Sequence, residues 1–310
     1  MSRLTSTPRG KSCPKCCGRR QDFPRIRRTS NLLILVQLIR GKFARMRAGN
    51  GGELTSGCTS LRLVITAGLL CTRFSASAQA ELPRGFVYLS DIDASIIQDI
   101  RYFGSHNFVG RRIDGYNAPE CILTREAALA LSKVQAALRG DNLSLIVWDC
   151  YRPARAVADF LRWSKNPSDK GMKAEFFPNI EKHSLFALGY IAGHSAHSRG
   201  STVDVGLAPK DYAPAAVDPA SSLAPCTAPK KERFKDGTLD MGAGFDCLDQ
   251  SANLANARLT KEAQQNRMRL RKAMMAGGFK SYDKEWWHFE LRNEPFAGKS
   301  FDFPIEPKAH

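Results

Sequence analysis

The sequence predicts an α+β domain. Three observations lead there. An amphipathic stretch of helical period is followed at once by a continuous apolar run of strand character. Further strand-like runs are scattered through the second half of the chain instead of alternating with helices. Neither a βαβ alternation nor a glycine-rich phosphate loop is present. With 310 residues and 43% hydrophobic content, the chain has ample apolar material for a core and is not a disordered polymer.

Taken in order, the first clear element is a helix over 124–139. Ala127, Leu131, Val134 and Leu138 fall on one face, and Gly140 closes it. Leu143–Cys150 then reads as a buried strand, with Asp149-Cys-Tyr-Arg152 at its exit. Pro153 suits the first position of a second helix, whose apolar face is Val157, Phe160 and Leu161. The apolar run 186–191 is expected to be a helix or strand. Thr202–Leu207 is strand-like, and residues 208–229, rich in Ala, Pro and Ser, read as a surface excursion. A basic helix over 260–276 ends at Gly277-Gly278, and the aromatic run 286–291 is a strand.

The formal net charge of +16 invites a nucleic-acid reading, but its distribution argues otherwise. Residues 1–80 carry 15 basic and two acidic side chains, leaving a net charge of only +3 on residues 81–310. The first 80 residues have the features of a leader: Arg62, the apolar stretch Leu63–Cys71, and a small-residue run ending Ala78-Gln-Ala80. Cleavage is expected after Ala80. Eighty residues exceed the ~15–30 of a signal peptide, so translation is expected to begin at Met46. The mature domain would be residues 81–310, exported to the periplasm and without a membrane span.

In an oxidising compartment the four cysteines of that domain can form two disulfides in three connectivities. A helix over 124–139 runs about 24 Å and the following strand returns over about 26 Å, which brings Cys150 back beside Cys121. This favours Cys121–Cys150 and leaves Cys226–Cys247.

Chemistry concentrates in two segments. Ser195-Ala-His197-Ser-Arg-Gly200-Ser-Thr-Val-Asp204 places a histidine in a turn and a carboxylate on a core strand. A carboxylate between Val203 and Val205 is costly unless it is paired or bound to a cation. Glu285-Trp-Trp-His288 supplies a third ligand, together with a carboxylate at the strand entrance. Three protein ligands with one open position form a catalytic zinc site, beside which Glu285 can act as general acid/base. Arg152 is a candidate for stabilising an oxyanion. No Gly-x-Ser-x-Gly elbow is present, which disfavours serine-hydrolase chemistry. His106, His183 and His310 lie in polar or turn-rich surroundings and are set aside.

In combination, these motifs resemble the zinc D-alanyl-D-alanine dipeptidases. Asp149-Cys-Tyr-Arg152-Pro, Asp240-Met-Gly-Ala-Gly-Phe245-Asp and Arg101-Tyr-Phe-Gly-Ser-His-Asn107-Phe-Val-Gly110 are similar to further family segments, and the similarity covers roughly residues 85–300. Thr202 departs from the family's usual alanine. The resemblance implies a small central antiparallel sheet flanked by helices. It implies one Zn2+ per chain on His197, Asp204 and His288, Glu285 as general acid/base, and Arg152 on the tetrahedral intermediate. Ser195, Tyr102 and Asp240 fall in matching segments as substrate-binding candidates, with Asp240 receiving the substrate ammonium. The implied substrate is the small dipeptide D-Ala-D-Ala. The alternatives are a zinc D,D- or L,D-carboxypeptidase acting on peptidoglycan stem peptides and a non-catalytic zinc-stabilised wall-binding module.

Overall fold

The computed structural model describes residues 81–214 and 224–309. The expected leader, the Met46 start and the cleavage after Ala80 concern residues outside these. Among the described residues no helix is long and apolar enough to cross a membrane.

The chain opens with strand β1 (Phe86–Tyr88), a helical turn α1 (Leu89–Ile92) and a short strand β2 (Ile97–Gln98). Strand β3 (Ile122–Thr124) runs directly into helix α2 (Arg125–Arg139). Thr124 caps that helix, its hydroxyl accepting the Ala127 N–H at 3.3 Å. The predicted face is buried, with Ala128 and Gln135 added to it. Gly140 ends the helix in right-handed conformation, and it is Asn142 that turns left-handed (φ 57°).

Strand β4 (Leu143–Asp149) is buried along its whole length. Helix α3 (Ala154–Ser164) follows, with Pro153 one position earlier than expected, at the cap. After a short helix α4 (Lys173–Phe176) come β5 (Thr202–Pro209), helix α5 (Lys261–Ala276) and the hairpin strands β6 (Phe279–Tyr282) and β7 (Glu285–Leu291). Residues 186–191 form turns instead of a regular element. Leu185 and Ile191 anchor this stretch in the core, while Phe186 and Leu188 stay exposed. Its apolar residues therefore do not share one buried face.

Five strands form one sheet in the order β2-β4-β5-β7-β6, and β1 pairs with β3 in a separate two-stranded sheet. The sheet is antiparallel except at one edge, where β2 runs parallel to β4. The intervening helix α2 carries the chain back across the sheet, as a parallel return requires. Helices α2 and α5 pack on each other and against β4, β5 and β6.

The register positions the site. Asp149 lies opposite Asp204 across β4 and β5, and Asp204 lies opposite His288 across β5 and β7. A bulge between Val147 and Asp149 shifts the end of β4 at this point. Three polar residues thus stand abreast at the centre of the sheet, each contributed by a different strand.

Candidate active site

The turn before β5 delivers the first of three groups that could hold a metal ion. Ser195 caps the short helical turn Ala196–Arg199, and its hydroxyl accepts the His197 N–H at 3.3 Å. Gly200 ends the turn at φ +80°, with its N–H donating to the His197 carbonyl at 2.9 Å. A Cβ here would fall 2.2 Å from the Phe86 ring, so both the conformation and the space demand glycine. The chain then enters β5 and presents Asp204.

His197 donates its Nδ1–H to the Cys150 carbonyl at 2.8 Å, which leaves the Nε2 lone pair free. That Nε2 lies 3.2 Å from Asp204 Oδ1 and 3.3 Å from His288 Nδ1, and the latter two atoms are 3.1 Å apart. A tetrahedral ion bonded at about 2.0–2.1 Å sets its ligand atoms roughly 3.3 Å apart. The triangle therefore fits zinc in both spacing and donor type. All three residues are largely withdrawn from solvent. Burial alone would raise the Asp204 carboxyl, but His197 and His288 hold it well below the ordinary carboxylate value.

Glu285 opens β7, with Oε2 3.6 Å from His288 Nδ1. Burial raises its carboxyl above the ordinary value, against the opposing charge of His288. A carboxylate raised in this way is better matched to proton transfer near neutral pH.

Arg152 stands beside the trio, with Nη2 3.6 Å from Asp204 Oδ2. Its Nε and Nη2 reach Asp149 Oδ2 at 2.8 and 2.7 Å, and the Tyr116 hydroxyl donates to the other oxygen of that carboxylate at 2.6 Å. The guanidinium lies over the rings of Tyr102 and Phe160, 5.1 and 5.3 Å from their centres. Nη1 donates to Ser195 Oγ at 3.4 Å. Asp149, fully buried, is thus the residue that aims the guanidinium.

His197, Asp204, His288, Glu285 and Arg152 border one cavity of about 220 Å3, which is also lined by Tyr102, Asp246 and the exposed His194. The volume lies below the roughly 300–1,000 Å3 usual for ligand pockets and suits a very small ligand. A larger groove of about 580 Å3 lies between α3 and residues 181–193 and contains none of these groups.

The structure places Asp240 elsewhere. It pairs with the buried Arg233 and accepts the Gly242 N–H, on the border of a different cavity. Its charge is already matched. Asp246, six residues on, takes the position inside the site: it accepts the Tyr102 hydroxyl at 2.8 Å and has no salt-bridge partner among the described residues. Burial and the nearby Asp204 push its carboxyl well above the ordinary value, the state of an acid that lacks a cation. Asp246 also adopts a left-handed backbone (φ 56°), a conformation that Asp and Asn enter more readily than other non-glycine residues. The signal that would have distinguished the two acids is Arg233, a basic residue placed to neutralise Asp240. His106, set aside from the sequence as a residue of a turn-rich stretch, belongs to a second polar cluster. It is buried, with Nδ1 2.9 Å from Arg101 and Nε2 2.9 Å from Glu175.

Both disulfides have the expected connectivity, Cys121–Cys150 and Cys226–Cys247.

A family model described as D-ala-D-ala dipeptidase matches residues 83–218 and 233–306. The chain belongs to the D-Ala-D-Ala dipeptidase family. It is similar to the D-alanyl-D-alanine dipeptidase of Enterococcus faecium, with 34% identity over 222 residues covering 72% of this chain and 98% of the relative. The D-alanyl-D-alanine dipeptidase of Streptomyces coelicolor is 35% identical over 221 residues, 71% of this chain and 98% of the relative. That of Escherichia coli is 28% identical over 213 residues, 67% and 87% respectively. The family match takes in His197, Asp204, His288, Glu285, Arg152, Tyr102 and Asp246. It skips residues 219–232, the stretch that contains Cys226.

Proposed function

We propose that this chain is a zinc dipeptidase that hydrolyses D-Ala-D-Ala to two D-alanines. The observation that carries the reading is the convergence of His197 Nε2, Asp204 Oδ1 and His288 Nδ1 beside Glu285 in one small cavity. The names of the family relatives supply the substrate.

Zinc held by His197, Asp204 and His288 would polarise the scissile carbonyl and lower the pKa of water to about 7. Glu285 accepts the proton of the attacking water and returns it to the leaving amine nitrogen. The Arg152 guanidinium, already oriented by Asp149, donates to the carbonyl oxygen as negative charge develops on it, without reorganisation during the reaction. Asp246 and Tyr102 receive the substrate ammonium, and Ser195 borders the cavity beside Arg152. An acid and a base fixed within about 220 Å3 favour a substrate whose two charged termini lie close together.

The leader-like residues 1–80 and the two buried disulfides support export to the periplasm. Release of D-alanine from D-Ala-D-Ala and from a stem pentapeptide, with and without chelator, tests the reading. Chelator-sensitive release from the dipeptide alone is expected. Preferential release from the pentapeptide would make the chain a carboxypeptidase, and no release from either would overturn catalysis.

A further inference from the structure

Both disulfides lie next to residues of the cavity, each beside a different set of them. Cys150 directly follows β4. Its carbonyl accepts the His197 Nδ1–H at 2.8 Å, and its N–H donates to Asp149 at 3.0 Å. Two residues on, the Arg152 N–H donates to the His197 carbonyl at 3.3 Å. The crosslinked residue is therefore the one that fixes the ring of a ligand and the carboxylate that aims Arg152. Its partner Cys121 is anchored in turn, donating to Gln98 and accepting from Leu89, each at 2.8 Å.

Cys247 lies between Asp246 and Leu248, both of which border the cavity. Asp246 holds its left-handed conformation one residue before the bridge. Cys226, the partner, donates to the Glu175 carbonyl at 2.8 Å and accepts from Gly244 at 2.9 Å, while Leu248 donates to the Phe176 carbonyl at 2.8 Å. Cys226 belongs to the stretch that the family match skips, while its partner Cys247 lies within the matched residues.

We propose that the two disulfides are positioning elements with separate tasks: Cys121–Cys150 fixes the metal side of the site, and Cys226–Cys247 fixes Asp246 for the substrate ammonium. The second task rests on the functional reading given above. A ligand's hydrogen-bonding partner is typically worth about 10–100-fold in metal affinity, so displacement of the Cys150 carbonyl once the bridge is removed weakens zinc binding, as a displaced binding group weakens productive orientation.

The test compares the full protein with two double variants, Cys121→Ala/Cys150→Ala and Cys226→Ala/Cys247→Ala. Zinc affinity is measured by chelator competition, and KM and kcat with D-Ala-D-Ala and its N-acetyl derivative, which lacks the ammonium. The first variant is expected to bind zinc at least tenfold more weakly. The second is expected to raise KM for D-Ala-D-Ala about tenfold, to keep zinc affinity and kcat within twofold, and to discriminate less between the free and acetylated dipeptides. Equal changes in all constants, or lower melting temperatures with unchanged constants, would overturn the proposal and leave the bridges as staples. If an alanine pair does not fold, the corresponding Cys→Val or Cys→Ser pair replaces it under the same criteria. An unmodified protein that does not cleave D-Ala-D-Ala would refute the functional reading instead, while the zinc comparison would still decide the first bridge.

Discussion

Arg152→Met keeps much of the side chain's bulk over Tyr102 and Phe160 but removes the guanidinium. Two costs follow, and they are separable. The first is catalytic. Losing one preorganised donor to a developing oxyanion typically lowers kcat by about 10²–10³, or roughly 2.7–4 kcal/mol. The second is structural. Asp149 is fully buried, and the variant leaves it with the Tyr116 hydroxyl, the Cys150 N–H and His197 Nδ1 at 3.3 Å. Breaking a buried ion pair by removing one partner costs about 3–5 kcal/mol. Steady-state release of D-alanine, zinc content and thermal unfolding read these effects independently. Zinc content should persist, kcat should fall by the stated factor, and the melting temperature should drop. Adding Asp149→Asn should restore much of the stability and none of the activity. A single variant with kcat within threefold of the unmodified protein, or a double variant that regains turnover, would refute the oxyanion role.

Gly200→Ala forces a side chain into left-handed backbone and onto Phe86, and should cost about 2–5 kcal/mol in thermal or denaturant unfolding while weakening zinc binding. Glu285→Gln should retain stoichiometric zinc by metal analysis yet lose about 10²–10⁴ in kcat, the range of general acid–base catalysis. Burial would raise the Asp159 carboxyl, but its hydrogen bonds with Arg111 and Asp114 lower it below the ordinary value. A lowered folded pKa gives stability that is fully present above the unfolded value of about 3.9 and fades as pH falls through the folded value. Asp159→Asn should therefore destabilise the protein at pH 7, and the gap in unfolding free energy should close in acid.

The trio proposed to hold the metal was legible as a candidate because two of its members share a ten-residue segment and the third lies three residues after a carboxylate. What the linear pattern lacks is register. Nothing in the sequence aligns Asp204 with His288 across two strands separated by the whole of α5. The Asp240-to-Asp246 segment shows the same limit: both acids are plausible partners for an ammonium until Arg233 is seen neutralising one and Tyr102 bonding the other. His106 reads as a turn residue because its neighbours are Gly, Ser and Asn, and its burial comes from Glu175 and Phe176, about 70 positions away. The Cys121–Cys150 link was reachable because helix and strand lengths are local quantities that the chain direction converts into a distance. The parallel edge β2 was missed because two residues carry no periodicity to read.

The most direct test of the account is D-alanine release from D-Ala-D-Ala by the purified protein after chelator treatment and after stoichiometric zinc is returned. The account predicts hydrolysis that disappears with the metal and recovers with zinc, and that His288→Ala abolishes. Undiminished hydrolysis in stripped protein with no residual metal, or none in zinc-loaded protein, would contradict it.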